Sequence, residues 1–458
     1  MQNDSTGTDL NRRTFFKGAS MASMLALMGA VPITADEAAK AAGDKTLPPP
    51  KADPTYKEKP VGPPVKFGII GLGPQGREII THLGKLPNAP VVAICDHYKS
   101  TLKRAADAAP NAKAYNTAEE LLADANVQAV VIATPTHQHK DLALAAMKAG
   151  KHCGSEVPIA LTLDQAWALV ETSEKTRRHC LMMENCCYGN SELTVLRMVR
   201  EGVFGTLLHA EAAYNHDLRA ILFENRDEGL WRRFPHTEHD TNLYPTHGLG
   251  PVAQYLGIHR GDRFEHIVSM SSPEAGLTEW REQHEPKDSP KWKETYKAGD
   301  VNTSLIKTAK GRTILLQHNV TSPRPYSRLN NLQGSKAVFN DYPPLLYIDG
   351  AAGGEKWTPL GEFKSKYEHP LWTAVGDLAR KNGGHGGMDF IMAYRLVQCM
   401  REGLAPDFDV YDAAAWSVPY ALCEQSVRKG STPVKFPDFT RGAWRTSTAP
   451  QGPAIVAG

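Results

Sequence analysis

The sequence predicts an α/β protein in which a doubly wound parallel sheet is followed by an α+β domain with an open, mainly antiparallel sheet. Apolar runs alternate with helical patterns from residue 65 to residue 187. A glycine-rich turn ends the first of these runs. Beyond about residue 202 the apolar runs become short, alternating and separated by turns, as in antiparallel sheets with one solvated face.

Length and composition agree with two globular domains. A chain of 458 residues is too long for one ordinary core. Its 41% hydrophobic and 22% charged residues are globular values. The net charge is only +2 and no Lys/Arg run follows the pattern of a phosphate-binding stripe, so we expect no nucleic-acid partner.

Residues 1–41 are predicted to be a twin-arginine signal peptide. Arg12 and Arg13 are followed by aromatic residues, Lys17 and a small, apolar stretch. The alternative is a buried or membrane-spanning helix, but this stretch is shorter than the roughly 20 residues that cross a bilayer. We therefore expect export by the twin-arginine machinery to the periplasm or medium, without a stable membrane anchor. Ala39-Lys40-Ala41 offers one cleavage site, and residues 42–64 predict a proline-rich linker.

The apolar runs of the first domain predict strands covered on both faces. They lie at 65–71, 91–96, 129–135, 151–157 and 179–187, with helical patterns at 75–86, 100–109, 118–123, 137–149 and 163–176. The second domain is predicted to cover residues 188–440, and it is followed by a tail, 441–458. Its predicted strands lie at 206–214, 266–271, 304–308, 312–320 and 336–339, and its helices at 388–402 and 411–429. The charged run 279–297 predicts a solvated loop.

Seven cysteines, an odd number mostly inside apolar runs, predict buried free thiols rather than a disulfide framework. Cys186 and Cys187 are adjacent in a predicted strand, so we expect their side chains on opposite faces.

The turn Gly71-Leu72-Gly73-Pro74-Gln75-Gly76 predicts a dinucleotide site. The first glycine allows a tight turn, the second lets the backbone approach the pyrophosphate, and the third permits close helix–strand packing. Asp96 ends the next strand, 20 residues beyond Gly76, where a carboxylate binds the ribose hydroxyls of NAD and repels the 2′-phosphate of NADP. Residues 65–187 are therefore predicted to be a Rossmann NAD-binding domain. The alternative is a Rossmann-like fold without a nucleotide.

Two histidine pairs in the sequence are candidate metal ligands. His137 and His139 start a helix without a third and fourth ligand at metal spacing. His236 and His239 lack the i, i+4 spacing of a helical metal pair. We predict no metal site.

The first half resembles the glucose–fructose oxidoreductase/inositol dehydrogenase (Gfo/Idh/MocA) family. The matching segments are Phe67 to Gly71, Ala133-Thr134-Pro135-Thr136-His137-x-His139, Gly150-Lys151-His152 and Glu156-Val157-Pro158. The resemblance implies a Rossmann domain followed by an α/β domain whose sheet forms the floor of a sugar site. Ordinary dehydrogenases of that family carry Lys where this chain has Val157, and valine cannot transfer a proton.

The second half resembles glycoside hydrolase family 109. The matching segments are Glu184 to Tyr188, Trp231-Arg232, Tyr244-Pro245-Thr246-His247-Gly248-Leu249-Gly250-Pro251-Val252 and Arg260-Gly261-Asp262. This resemblance implies an exported, NAD-dependent α-N-acetylgalactosaminidase that takes a small-molecule glycoside, and a homo-oligomer. The chain departs from the pattern at residues 136–139, where tryptophans usually precede the last histidine, and this leaves the sugar open.

The predicted reaction uses tightly bound NAD as a hydride store. Oxidation of the sugar C3 hydroxyl acidifies the C2 proton, the C1 oxygen leaves by elimination, water adds, and the hydride returns to C3. This is the exception to two-carboxylate glycoside hydrolysis. The alternatives are a sugar oxidoreductase that exchanges hydride between sugars, with NAD or NADP, and a non-catalytic sugar-binding Rossmann protein.

Three residues are predicted to be catalytic. His247 is expected to move the proton of the C3 hydroxyl, because imidazole titrates near working pH. Glu156 is expected to protonate the leaving oxygen or to orient the substrate, and Tyr188 to act as the base at C2. By resemblance, the substrate contacts are Tyr214, Arg232, Tyr244 and Tyr326. The cofactor contacts are Gly71, Gly73, Pro74, Gln75, Gly76, Asp96, Thr136, His137, Gln138, His139, Glu156, Val157, Asn185, Tyr244, Pro245, Thr246 and His247. The resemblance also implies that His385, in a Gly-Gly-His-Gly-Gly segment, reaches the site, because family members carry a His-Gly-Gly segment near this point.

Overall fold

A computed structural model describes residues 63–350 and 354–447. The first half forms a six-stranded sheet in the order β3-β2-β1-β4-β5-β6, with every neighbouring pair parallel. This confirms the predicted doubly wound sheet. Its strands are β1 (Phe67–Ile70), β2 (Val91–Cys95), β3 (Lys113–Tyr115), β4 (Ala129–Ile132), β5 (His152–Ser155) and β6 (Cys180–Met182).

Helices cover both faces of this sheet, so β1 and β4 are buried at every residue. They are α1 (Pro74–Gly84), α2 (Lys99–Ala106), α3 (Ala118–Ala123), α4 (His139–Lys148) and α5 (Leu163–Thr176). The short helix α3 begins with a capping box, in which Thr117 and Glu120 satisfy each other's backbone N–H groups. The order of the strands reverses at β1 and β4, and ligands of open α/β sheets bind at the carboxyl ends of such strands.

The second half forms a nine-stranded sheet in the order β14-β13-β12-β11-β7-β10-β9-β8-β15. Only the β7–β10 pair is parallel among its described pairs. The strands are β7 (Leu207–Asn215), β8 (Phe264–Ser271), β9 (Asn302–Thr308), β10 (Thr313–Asn319), β11 (Asn331–Gly334), β12 (Ala337–Asn340), β13 (Leu345–Ile348), β14 (Thr358–Pro359) and β15 (Val434–Lys435). The mixed, mainly antiparallel sheet is therefore confirmed.

The remaining helices join the two sheets. They are α6 (Asn190–Arg200), α7 (Arg219–Leu222), α8 (Phe234–Glu238), α9 (Thr246–Leu256), α10 (Gly276–His284), α11 (Lys364–Tyr367), α12 (Pro370–Asn382), α13 (Met388–Glu402), α14 (Val410–Ser417) and α15 (Pro419–Arg428). Helix α13 packs against α1, and α14 packs against α5. One hydrophobic core consequently contains side chains from both sheets.

Three local predictions were wrong. The strand expected at 179–187 ends at Met182, and a 3-10 turn (Asn185–Tyr188) follows, in which Cys186 and Cys187 are both buried. The helix expected at 411–429 divides into α14 and α15, because Pro419 starts a new helix. The charged run 279–297 is not a solvated loop, since it includes most of α10 and the buried Lys291.

All seven cysteines are buried free thiols, as predicted. The predicted signal peptide, the linker before residue 63 and the end of the tail lie outside the described residues. Within the described part of the chain, no helix is long and apolar enough to cross a membrane.

Candidate active site

The glycine-rich turn joins β1 to α1 in the geometry that a dinucleotide requires. Gly71 has φ +90°, and a Cβ on Gly76 would lie 2.0 Å from the carbonyl oxygen of Gly71. A Cβ on Gly73, in contrast, would meet no described atom within 4 Å. The first and third glycines are therefore required for the turn itself, and the second leaves open space beside the backbone.

The start of α1 offers N–H groups to an anion. Among the described residues, no side chain caps this helix and its first turn contains no acidic residue. Asp96 lies opposite, where its two oxygens accept hydrogen bonds from the backbone N–H groups of Leu72 (2.9 Å) and Tyr98 (2.8 Å). These contacts fix an acidic group beside the turn, and the arrangement fits the pyrophosphate and ribose of NAD.

Glu156 follows β5 at the same edge of the sheet. Its carboxyl is half-buried and accepts a hydrogen bond from the Gln75 amide at 3.0 Å. Burial, together with the negative charges of Asp389 and Glu184, raises the pKa of Glu156 to about 8. The side chain therefore carries a proton at neutral pH, which suits a hydrogen-bond donor or an acid.

The segment after β4 lies at the same carboxyl edge of the parallel sheet as Glu156. Thr136 contributes to the cleft between the two halves, and His137 is exposed. His139 is buried, and its two ring nitrogens face the carbonyl oxygens of Pro158 (2.9 Å) and Thr134 (2.7 Å). Its side chain therefore ties two loops together, which corrects its interpretation as a direct cofactor contact. Val157 is buried, so the position that carries lysine in dehydrogenases is apolar here.

His247 lies in the first turn of α9 and is paired with a carboxylate that sequence reasoning missed. Its Nδ1 lies 2.7 Å from Oε1 of Glu184, whose side chain is fully buried. Burial alone would raise the pKa of Glu184, but His247 and the Cys186 N–H hold it below its usual range. The carboxylate fixes the imidazole ring through Nδ1, so Nε2 is the nitrogen available to a ligand.

Two aromatic rings and one arginine surround His247. We call these three residues, Tyr214, Tyr244 and Arg232, the substrate wall. The ring centroids of Tyr244 and Tyr214 lie 4.9 and 5.2 Å from that of His247. The Arg232 guanidinium lies 4.8 Å above the Tyr244 ring, donates to the Tyr214 hydroxyl at 3.3 Å and pairs with Glu228. The structure thus brings together all four predicted substrate contacts, since the Tyr326 ring also packs against Tyr214. Pro245 and Thr246 are buried at the start of α9, so their packing places His247.

A second histidine–carboxylate pair reaches the same space. His385 Nδ1 lies 2.6 Å from Asp389, whose other oxygen accepts a hydrogen bond from Asn185 at 2.5 Å. The hydrogen bond to Asp389 raises the pKa of His385. Asn185 directly follows Glu184, the partner of His247, so the hydrogen bond from Asn185 to Asp389 joins the two histidine–carboxylate pairs.

Tyr188 does not belong to this site, so its assignment as the base at C2 is wrong. Its hydroxyl donates to Asp407 at 2.9 Å, within a pocket that also contains Arg395 and Cys399. Burial and the charge of Asp407 raise its pKa far above the usual range. The 3-10 turn after β6 directs this side chain towards Asp407 and away from Arg232. The strand predicted at 179–187 contained no such change in chain direction.

Comparison with known proteins identifies both halves. Residues 65–184 match the family described as "Oxidoreductase family, NAD-binding Rossmann fold", and residues 188–446 match "Glycosyl hydrolase 109, C-terminal domain". A "Glycosyl hydrolase family 109 protein" of Solibacter usitatus is 53% identical over 83% of this chain and 90% of its own. One of Shewanella baltica is 43% identical over 96% of this chain and 98% of its own.

Solved structures share the fold at low sequence identity. A levoglucosan dehydrogenase in complex with NADH is 19% identical, with a TM-score of 0.64 over 81% of this chain and 99% of its own. The WlbA dehydrogenase from Bordetella pertussis, in complex with NADH and UDP-GlcNAcA, is 17% identical, with a TM-score of 0.60 over 82% of this chain and 99% of its own. The family matches, with this shared fold, show that the chain has an NAD-binding Rossmann domain and is an enzyme that acts on sugars.

Proposed function

The chain belongs to glycosyl hydrolase family 109, and we propose that it is a glycosidase that retains NAD through each turnover rather than a net sugar oxidoreductase. The proposed substrates are α-N-acetylgalactosaminides or related glycosides. One observation carries the proposal: two histidine–carboxylate pairs, His247–Glu184 and His385–Asp389, are joined through the adjacent residues Glu184 and Asn185. Net oxidation of an alcohol needs one proton acceptor, whereas elimination and water addition need further proton transfers.

Each group of residues is proposed to have a separate role in the reaction, set by its position in the site. The turn from Gly71 to Gly76, with Asp96, would hold NAD, which would supply a reversible acceptor for the C3 hydride. The C2–H group is acidic only while C3 is a ketone. His247, oriented by Glu184, removes the proton of the C3 hydroxyl and passes it to solvent. The neutral imidazole then takes the C2 proton as the C1–O bond breaks, and it returns a proton to C2 when water adds.

His385 is proposed to protonate the leaving oxygen and later to take a proton from water. The hydrogen bond to Asp389 raises its pKa, which favours the protonated imidazole that an acid requires. Its side chain is 57% exposed, which supports this role, because the leaving group and water must both exchange with solvent. Glu156, protonated at neutral pH, then orients the sugar by donating a hydrogen bond.

Substrate recognition is assigned to the substrate wall. Arg232 lies over the Tyr244 ring, and Tyr214 and Tyr244 pack against each other and against His247. Burial alone would lower the pKa of Arg232, but Tyr214, Glu228 and Tyr244 raise it above its usual range. Because Glu228 already neutralises this charge, the wall suits a neutral sugar better than an acidic one.

The test is turnover of an aryl α-N-acetylgalactosaminide panel by the purified protein without added NAD. We expect phenol release without net NADH, and solvent deuterium at C2 of the product. The His247→Ala variant should lose turnover, while His239→Ala, which removes a histidine paired with Glu424 at 3.1 Å, should retain it. Oxidation of free sugars with accumulation of NADH, and no phenol release from any aryl glycoside, would favour the oxidoreductase. Product without deuterium would exclude the elimination step.

Export by the twin-arginine route and assembly as a homo-oligomer remain proposals that rest on the N-terminal sequence and on the family. A retained, self-restoring cofactor is compatible with export, because free NAD is scarce outside the cytoplasm.

A further inference from the structure

A line of aromatic rings leads from His247 towards the protein surface. The centroid distances are 5.2 Å from His247 to Tyr214, 6.2 Å from Tyr214 to Tyr326 and 6.0 Å from Tyr326 to Tyr342. Exposure increases along this line, from 6% at Tyr214 to 37% at Tyr342. The row of rings therefore connects the proposed catalytic centre with solvent.

Arg328 holds the two outer rings. Its guanidinium lies 5.6 Å from the Tyr326 ring and 5.7 Å from the Tyr342 ring. It donates to the Tyr326 hydroxyl at 3.0 Å and forms a buried ion pair with Glu192. Because Arg328 itself is 7% exposed, it fixes the rings from beneath and leaves the outer surface of Tyr342 in solvent.

The backbone at Tyr342 is held in an unusual conformation. Its φ is +62°, which a bulky residue rarely adopts. The Tyr342 N–H donates to the Asp341 carboxylate at 2.8 Å, and the Asn330 amide donates to the other Asp341 oxygen at 3.2 Å. Strained residues of this kind are found mainly at ligand sites, where the surroundings impose the conformation.

We infer that Tyr342, with Tyr326 and Arg328, forms a binding site for the sugar ring attached to the one that is released. Aromatic side chains combine a flat apolar face with a polar edge, which matches the C–H face and hydroxyls of a pyranose. The inference rests on the proposed function, because His247 requires a free C3 hydroxyl and the remainder of the substrate is then joined through C1. The enzyme would accordingly prefer glycosides with a carbohydrate leaving group.

The test compares two substrates that share the released sugar, a methyl glycoside and a disaccharide. We expect Tyr342→Ala to lower kcat/KM about tenfold on the disaccharide, equivalent to about 1.4 kcal/mol, and to leave the methyl glycoside unchanged. Tyr342→Phe keeps the ring and should match the wild type on both substrates. Tyr347→Ala, in β13 of the same sheet, is the matched control and should change neither value.

Equal kcat/KM losses on both substrates, or no loss on the disaccharide, would overturn the second sugar site while leaving the proposed function intact. A wild-type protein that turns over neither glycoside would contradict the proposed function, and this inference with it. Light scattering distinguishes the remaining alternative: dissociation of an oligomer in Tyr342→Ala would assign the ring to an interface between copies of the chain, and so overturn the inference.

Discussion

Replacement of Glu184 by glutamine tests the proposed role of the His247–Glu184 pair most directly. The substitution keeps the size of the side chain and one acceptor oxygen, but removes the buried negative charge 2.7 Å from Nδ1 of His247. A hydrogen bond to a charged partner contributes about 1.5–3 kcal/mol. If this energy is gained mainly when the imidazole becomes protonated, kcat should fall about 10- to 150-fold.

The assay is the kinetics of aryl glycoside turnover, together with the NAD content and thermal unfolding of each variant. KM and the amount of bound NAD should stay close to wild type, because Glu184 faces His247 rather than the glycine-rich turn. Glu424→Gln supplies the control, since Glu424 lies 3.1 Å from Nδ1 of His239, outside the substrate wall. A kcat within about twofold of wild type, or a loss that only follows the loss of NAD, would refute the reasoning.

Three further predictions concern the cofactor turn and the other titratable groups. Gly73→Ala should fold as stably as wild type, because the added methyl group meets no described atom within 4 Å, but it should retain less NAD, because this methyl group occupies the approach to the pyrophosphate. Gly76→Ala should instead lower the melting temperature, because its Cβ would lie 2.0 Å from a carbonyl oxygen. Dialysis followed by absorbance for NAD and thermal unfolding distinguish the two variants. Glu156 has a pKa of about 8, so activity that needs its protonated form should be complete at pH 6 and decline as the pH rises through about 8. Glu156→Gln, which stays neutral, should lose this decline in a kcat/KM profile, and an unchanged profile would remove Glu156 from this role. His385→Ala should lower kcat about 10²- to 10⁴-fold, and least for aryl leaving groups of low pKa, whereas an equal loss for all leaving groups would contradict its action on the leaving oxygen.

Sequence patterns predicted the fold well where burial produces a periodic signal. β1 and β4 are buried throughout, and their continuous apolar runs are visible in the sequence. Strand β3 was missed because it lies at the sheet edge and two of its three residues are exposed. Helix α10 was missed for the opposite reason, since charged side chains are buried in and beside it. Arg281 donates to the Glu294 carbonyl, and Lys291 pairs with Glu285 at 3.0 Å, so these cations pack without an apolar stripe.

The active site was only partly predictable. Gly71 and Asp96 belong to a local motif with fixed spacing, and both have the predicted positions beside the turn. His247 was selected from its neighbours in sequence, but its partner Glu184 lies 63 positions earlier, and no local pattern connects the two. The error at Tyr188 arose from extending β6 too far, because the alternation of a strand does not continue through a 3-10 turn.

The turn after β6 explains how such distant residues form one site. Glu184 directly precedes this turn and binds His247 of α9, while Asn185 begins it and binds Asp389, the partner of His385. One rigid connection at the carboxyl edge of the parallel sheet therefore positions both histidine pairs. The same edge carries the glycine-rich turn and Glu156, so the sheet that holds NAD also fixes the groups that move protons on the sugar. A change that displaces this turn should impair both histidines at once, whereas a change in the substrate wall, at Arg232, should affect binding and leave the pairs intact.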